Sequence, residues 1–197
     1  MAFKYDHFKG PKLELLFKRW HEILSWYEEE EQDLPYWYLE RTNIGHLALA
    51  VYQLNGIPIQ EFSCRKGRGA EDSSGRADLY VSIPNVNGRP ISLNIEAKQA
   101  WCSIKSTNGS RAILRSKLKE AIDDCKKIRE KAWKAKLGCG LLFLTPYAKN
   151  MPSDKGDIAG QQRAFSNEVL KESKAAGANF VAFHYPEKNA MEYQSQV

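Results

Sequence analysis

No stretch of this sequence approaches the roughly 18–20 consecutive apolar residues that a membrane-spanning helix requires, so no membrane partner is expected. The opening residues, MAFKYDHFKGPK, lack the apolar segment of a secretory signal, which points to the cytoplasm. Cysteine is scarce: Cys64, Cys102, Cys125 and Cys139 form no CxxC and keep no regular spacing. They read as buried thiols rather than zinc ligands. No GxxxxGK[ST] occurs, which leaves P-loop nucleotide hydrolysis unsupported, and no GxSxG marks a serine hydrolase. His21, His46 and His184 have no partner at zinc or catalytic-base spacing and read as structural. There is no internal repeat and no low-complexity segment.

What is present suffices for a core. The chain has 197 residues, 43% hydrophobic and 11% aromatic, the composition of a folded globular protein. Its net charge of +5 is unevenly spread. From Arg111 to Lys136 there are ten Lys/Arg against four Asp/Glu, so the rest of the chain is slightly negative. A positive field concentrated on one helical segment suits a nucleic-acid partner. A solvated helix laced with i,i+4 pairs such as Asp123–Lys127 and Glu130–Lys134 would have the same composition.

Apolar spacing predicts a helix over about 12–31, carried by Leu13, Leu16, Trp20, Leu24 and Tyr27 and ended by EEEEQD and Pro35. That acidic run reads as solvated scaffold. A second helix is predicted over about 37–54, stopped by Asn55-Gly56, with Ile44, Leu47, Val51 and Leu54 facing inward and Glu40 heading the same stripe. A strand at GIPIQEFSCR follows, then a Gly- and Ser-rich loop, KGRGAEDSSGR, carrying Lys66, Arg68 and Arg76. Strands ADLYVSI and ISLNIEAK come next, then the basic helix over about 110–134 and an apolar strand CGLLFLTPY. A helix over about 159–176 and a strand NFVAFHY complete the order α-α-β-β-β-α-β-α-β. That is an α/β fold with a mixed sheet flanked by helices. It reads as one domain over 1–197: an N-terminal helical extension at 1–35, a core at 37–147 and a C-terminal α-β addition at 148–197.

The two central strands fix their own register. Ala77, Leu79, Val81 and Ile83 share one face, and Ile91, Leu93 and Ile95 share one on the next strand. Apolar faces must coincide across a ladder. A two-residue turn at Asn87-Gly88 would set Leu79 against Glu96. A three-residue turn, Val86-Asn87-Gly88, with Gly88 in the left-handed position, pairs Ile83–Ile91, Val81–Leu93 and Leu79–Ile95. One further step sets Asp78 against Glu96. Like charges so opposed are destabilising. A raised pKa, the nearby Lys98 or a divalent cation could relieve them. Oxygen-only ligands suit Mg²⁺ or Mn²⁺, and Lys98, one pleat along, could hold or deprotonate a water beside such an ion. That constellation suits phosphodiester hydrolysis.

Glu40 on a helix, Asp78 on one strand and Glu96-x-Lys98 on the next: this order resembles the PD-(D/E)XK nuclease superfamily, over about 37–147. The resemblance implies a restriction-endonuclease-like αβββαβ core, with Asp78 and Glu96 as metal-binding carboxylates and the backbone carbonyl of Ala97 completing the coordination. It makes Lys98 the residue that positions and activates the attacking water, and Glu40 a helix acid that meets the metal through water or binds a second ion. Ala77, not proline, precedes Asp78, a departure from the family pattern. Gln99 points by alternation to the opposite face and stays outside the site.

The expected activity is therefore Mg²⁺-dependent (or Mn²⁺-dependent) hydrolysis of DNA phosphodiester bonds. The enzyme would be an endonuclease of restriction, repair, recombination or defence type. Its substrate would be double-stranded DNA, with Arg76, Arg115, Lys117 and Lys119 as phosphate contacts that position without reading sequence. Many members of that superfamily dimerise to cut two strands, so a homodimer is one form to test. A nucleic-acid-binding or assembly module that keeps the fold without cutting is the alternative. Paired acids could also serve a glycosidase, but Lys98 and the basic helix argue against it.

Overall fold

The computed structural model describes residues 3–7, 13–67, 73–84, 90–104, 107–128, 137–147 and 155–184. In chain order the elements are β1 (Phe3–His7), α1 (Glu14–Glu31), a 3-10 turn (Pro35–Trp37), α2 (Glu40–Gln53), β2 (Ile57–Lys66), β3 (Ser73–Ile83) and β4 (Ile91–Ser103). They continue with α3 (Thr107–Lys127), β5 (Leu137–Tyr147), α4 (Lys155–Ala175) and β6 (Phe180–His184). A four-stranded sheet runs in the order β2-β3-β4-β5, antiparallel except for the parallel pair β4/β5. The mixed sheet flanked by helices is the architecture the sequence predicts.

Alternation along β3 and β4 yields the predicted register: Ile83↔Ile91, Val81↔Leu93 and Leu79↔Ile95. The turn expected to set it, with Gly88, lies outside the described residues. The apolar face thus built meets α1 and α2. Leu24, Leu47, Val51, Leu79 and Val81 are fully buried in one cluster with Trp20 and Phe143. Each such aliphatic side chain contributes about 1.5–3 kcal/mol on leaving water. The first helix is therefore part of the central core rather than an appendage. α2 stops where Asn55-Gly56 predicts: Asn55 turns left-handed (φ 56°) and the Gly56 N–H closes on the Val51 carbonyl at 2.9 Å.

On the other face α3 lies against β4 and β5. A Cβ at Gly140 would come within 2.6 Å of the Ile122 nitrogen, so the bare glycine lets the helix approach the strand. α4 is tied to α3 by charge: Arg111 pairs with Glu168, and Arg115 Nε donates to Glu172 at 2.7 Å.

Several elements differ from expectation. A strand at Phe3–His7 was not foreseen; it pairs antiparallel with β6, Tyr5 opposite Ala182, as a separate two-stranded sheet. Phe180 of β6 stacks on Phe17 of α1 at 5.2 Å, which docks that sheet. The two ends of the segment read as a loop, Lys66 and residues 73–76, are instead paired strand. β2 continues to Lys66, paired with Ser73, and Cys64 lies opposite Gly75; Arg68 is outside the described residues. α3 ends at Lys127, and Ile128 bridges back to Lys66; the rest of the helix expected to reach 134 is outside the described residues.

Candidate active site

β3 and β4 part below Leu79↔Ile95. Beyond that pair β4 continues beside β5, with Glu96 opposite Gly140, while β3 continues beside β2, with Ala77 opposite Phe62. The ladder does not extend to Asp78–Glu96 as the register suggests. Asp78 turns its carboxylate across the fork instead, and Oδ2 accepts the backbone N–H of Ala97 at 2.7 Å. On the outer side, Glu61 lies between the pairs Gln60↔Leu79 and Phe62↔Ala77 with φ of 50°. A left-handed conformation costs a non-glycine residue about 1 kcal/mol or more. Both ladders are thus interrupted beside Asp78.

Four residues from three separate parts of the sequence, α2, β3 and β4, meet at this fork. Glu40 opens α2 and is half-buried, and the nearby Gln99 backbone N–H favours its charged form. Burial raises its pKa, the charge of Asp78 raises it further, and Lys98 pulls it down. Glu96, 3% exposed, is likewise pushed up by burial and by Asp78, against the opposing pull of Lys66 and Lys98. Lys98 also feels Glu40. The acids and the lysine singled out from the sequence therefore interact electrostatically, although Asp78 and Glu96 do not form a ladder pair.

Lys98 leans toward α3. Its Nζ is 3.0 Å from Asp124 and 3.9 Å from Glu120. Burial alone would lower its pKa, but Asp124, Glu40 and Glu120 outweigh burial and raise it. Lys98 is thus held as an ammonium, an electrostatic and hydrogen-bonding group rather than a proton acceptor. Gln99 faces away, as alternation predicts, its amide donating to the Tyr38 carbonyl at 2.9 Å.

The expected phosphate contacts are scattered. Arg76 is largely exposed on β3, 4.0 Å from Glu61. Arg115 faces α4 at Glu172, Lys117 pairs with Glu120 at 2.7 Å, and Lys119 pairs with Asp123 at 2.8 Å. The basic helix bears the intrahelical pairs of a solvated face.

Sequence reasoning missed three groups here. Lys66, assigned to a loop, places Nζ 2.7 Å from Glu96 Oε1. Asp124 and Glu120 were counted only as charges on the helix; their spacing, i and i+4, was the available signal that they share a face. Away from the fork, the acidic run is not wholly solvated. Glu28 is buried and Oε1 accepts from His184 Nε2 at 2.7 Å, while His184 Nδ1 lies 2.7 Å from His21 Nδ1. These histidines hold β6 to α1, a structural role as expected, but with partners in space that no spacing reveals. His46 packs edge-on against Tyr27 at 5.8 Å.

The donors at the fork are oxygens, and buried Glu96 Oε1 has the Lys66 ammonium beside it, at 2.7 Å. That chemistry suits a hard divalent cation. As arranged, each acid is met by the protein itself: Glu40 by the Gln99 N–H, Asp78 by the Ala97 N–H and Glu96 by Lys66. Among the described residues no three His, Cys, Asp or Glu side chains are grouped so as to hold a metal ion. Comparison of the chain with known protein families, with curated proteins and with solved structures gives no match.

Proposed function

We propose that this chain is a metal-dependent nuclease that hydrolyses DNA phosphodiester bonds, an endonuclease of the restriction-endonuclease-like kind. One observation carries the reading: Glu40, Asp78 and the Glu96/Lys98 pair, from three separate segments, act on one another electrostatically at the fork between β3 and β4. Opposing acids gathered at a partly buried place cost stability, and a binding surface has no need of them.

In this reading Asp78, Glu96 and the Ala97 carbonyl would hold Mg²⁺ or Mn²⁺, with Glu40 acting through water or on a second ion. A cation held there supplies charge against the phosphate and acidity to a water. Lys98, kept protonated by Asp124, orients the attacking water by donating to it and stabilises charge developing on the phosphate. Burial and the charge of Asp78 raise the pKa of Glu40, as befits an acid that passes a proton to or from water at the site. Arg76, on the strand that carries Asp78, is the exposed cation best placed for duplex backbone.

The non-cleaving alternative is favoured by one fact, that Glu96 and Lys98 already have protein counter-ions. Incubating purified protein with supercoiled plasmid and Mg²⁺ or Mn²⁺ separates the two. Nicking by wild type that is lost in Asp78→Asn and Lys98→Ala supports the nuclease. Intact plasmid across metals and salt, or variants that cut as well as wild type, would sink it.

A further inference from the structure

A carboxylate as enclosed as that of Glu96 needs a positive partner, because an unpaired buried charge is costly. Lys66 is that partner, and three features fix it. Its backbone pairs with Ser73 and bridges to Ile128 just past α3. The following amide, Gly67 N–H, donates to the Lys127 carbonyl at 2.9 Å. Its aliphatic stem crosses Gly75, where an added Cβ would meet Lys66 Cδ at 3.0 Å. Lys98 is turned instead to Asp124.

The contact itself is a charge contact. Nζ lies 2.7 Å from Oε1, close enough for a charge-assisted contact that pulls the Glu96 pKa down, and the Lys66 side chain remains 23% exposed. An ammonium held by one carboxylate contact, on a stem with a route to solvent, is exchangeable for a cation of higher charge density. We infer that Lys66 is the built-in counter-cation of the candidate site: it stands where a divalent ion would meet Glu96 and sets that ion's affinity by competition. The inference rests on the nuclease reading above, in which Asp78 and Glu96 are the ligands. Removing the ammonium vacates the position and strengthens the local negative field, so the ion binds more tightly.

The test is calorimetric titration of the full chain with Mn²⁺, for wild type, Lys66→Met and Lys66→Arg. Lys66→Met, which keeps the stem over Gly75, is expected to bind Mn²⁺ on the order of tenfold more tightly. Lys66→Arg keeps the charge and is expected to bind no more tightly than wild type. Unchanged or weaker binding by Lys66→Met overturns the inference, as does Lys66→Arg binding as tightly as Lys66→Met. If neither wild type nor Lys66→Met binds Mn²⁺ while both are folded, the metal reading falls along with it, which is a distinguishable result. If Lys66→Met is unfolded without metal, far-ultraviolet circular dichroism decides: helicity restored by Mn²⁺ supports the competition, and a chain still unfolded in Mn²⁺ refutes it.

Discussion

The side chain of Asp78 and the backbone of Ala97 are joined by a 2.7 Å hydrogen bond where β3 and β4 separate. The carboxylate thus stands in for a missing ladder partner while remaining close enough to Glu96 and Glu40 to raise both their pKa values. The two duties can be separated. Asp78→Asn keeps an oxygen acceptor for the Ala97 N–H but not the negative charge. It is expected to unfold in urea within about 0.5 kcal/mol of wild type, while plasmid nicking falls by about a hundredfold or more. Asp78→Ala loses both and should cost about 1–3 kcal/mol as well. Equal activity in Asp78→Asn and wild type would remove Asp78 from the chemistry.

Against the lowering effect of burial, Asp124 is first among the neighbours that raise the pKa of Lys98. Asp124→Asn removes that support and lowers the pKa of Lys98. If the ammonium is the working form, activity is present below its pKa and lost as pH rises through it. The alkaline limb of the cleavage profile should therefore move to lower pH in Asp124→Asn. An unmoved limb would show that Lys98 is not the group titrating there.

His21 gives the fold an acid-sensitive element away from the fork. Burial, followed by the neighbouring His184, lowers its pKa from 6.5 to about 4. The unfolded chain takes up a proton below about pH 6.5 that the folded chain resists until about pH 4. The stabilisation is thus complete above pH 6.5 and declines as pH falls toward 4, by at most ~3 kcal/mol. Urea unfolding at pH 7.5, 5.5 and 4.5 should show this decline, and His21→Leu should flatten it. A wild-type slope surviving in His21→Leu would place the acid sensitivity elsewhere.

Gly140 sets the distance between α3 and the sheet. A methyl there meets the backbone of Ile122, which has no rotamer with which to yield. Gly140→Ala should destabilise the fold by about 1–3 kcal/mol. It should also lower the rate of cleavage by displacing Asp124 from Lys98. Chemical denaturation and the nicking assay read the two effects separately, and an unaffected protein would contradict the close approach.

The register of β3 and β4 was legible because burial acts on every second residue, so a slip by one would turn Leu93 and Ile95 away from the face that Leu79 and Val81 share. Glu40 was legible because α2 carries it on the stripe that Ile44 and Leu47 continue. Lys66 was not, because glycine and serine nearby suggested a loop, whereas the pairing Lys66↔Ser73 depends on a whole hairpin. The end of the Asp78 ladder was hidden too, since alternation continues through residues 77–79 while the strands diverge. The His21–His184–Glu28 chain joins residues that only tertiary folding brings together, and nothing local encodes it. Family comparison adds nothing to these inferences, so the nuclease reading depends on the fork itself.

Strands β1 and β6 come from opposite ends of the described chain and, among the described strands, pair only with each other, in a two-stranded ribbon docked on α1. Such a ribbon is marginal alone. It closes a loop that encloses nearly every other element, and the cost of that closure grows with loop length. The ribbon is expected to act as a clasp that fastens late and loosens early, with none of Glu40, Asp78, Glu96 or Lys98 upon it. In native-state hydrogen exchange, the amides of β6 should exchange sooner than those of Val81 and Leu93. The fork would then keep its shape through a partial unfastening that already releases the ends of the chain.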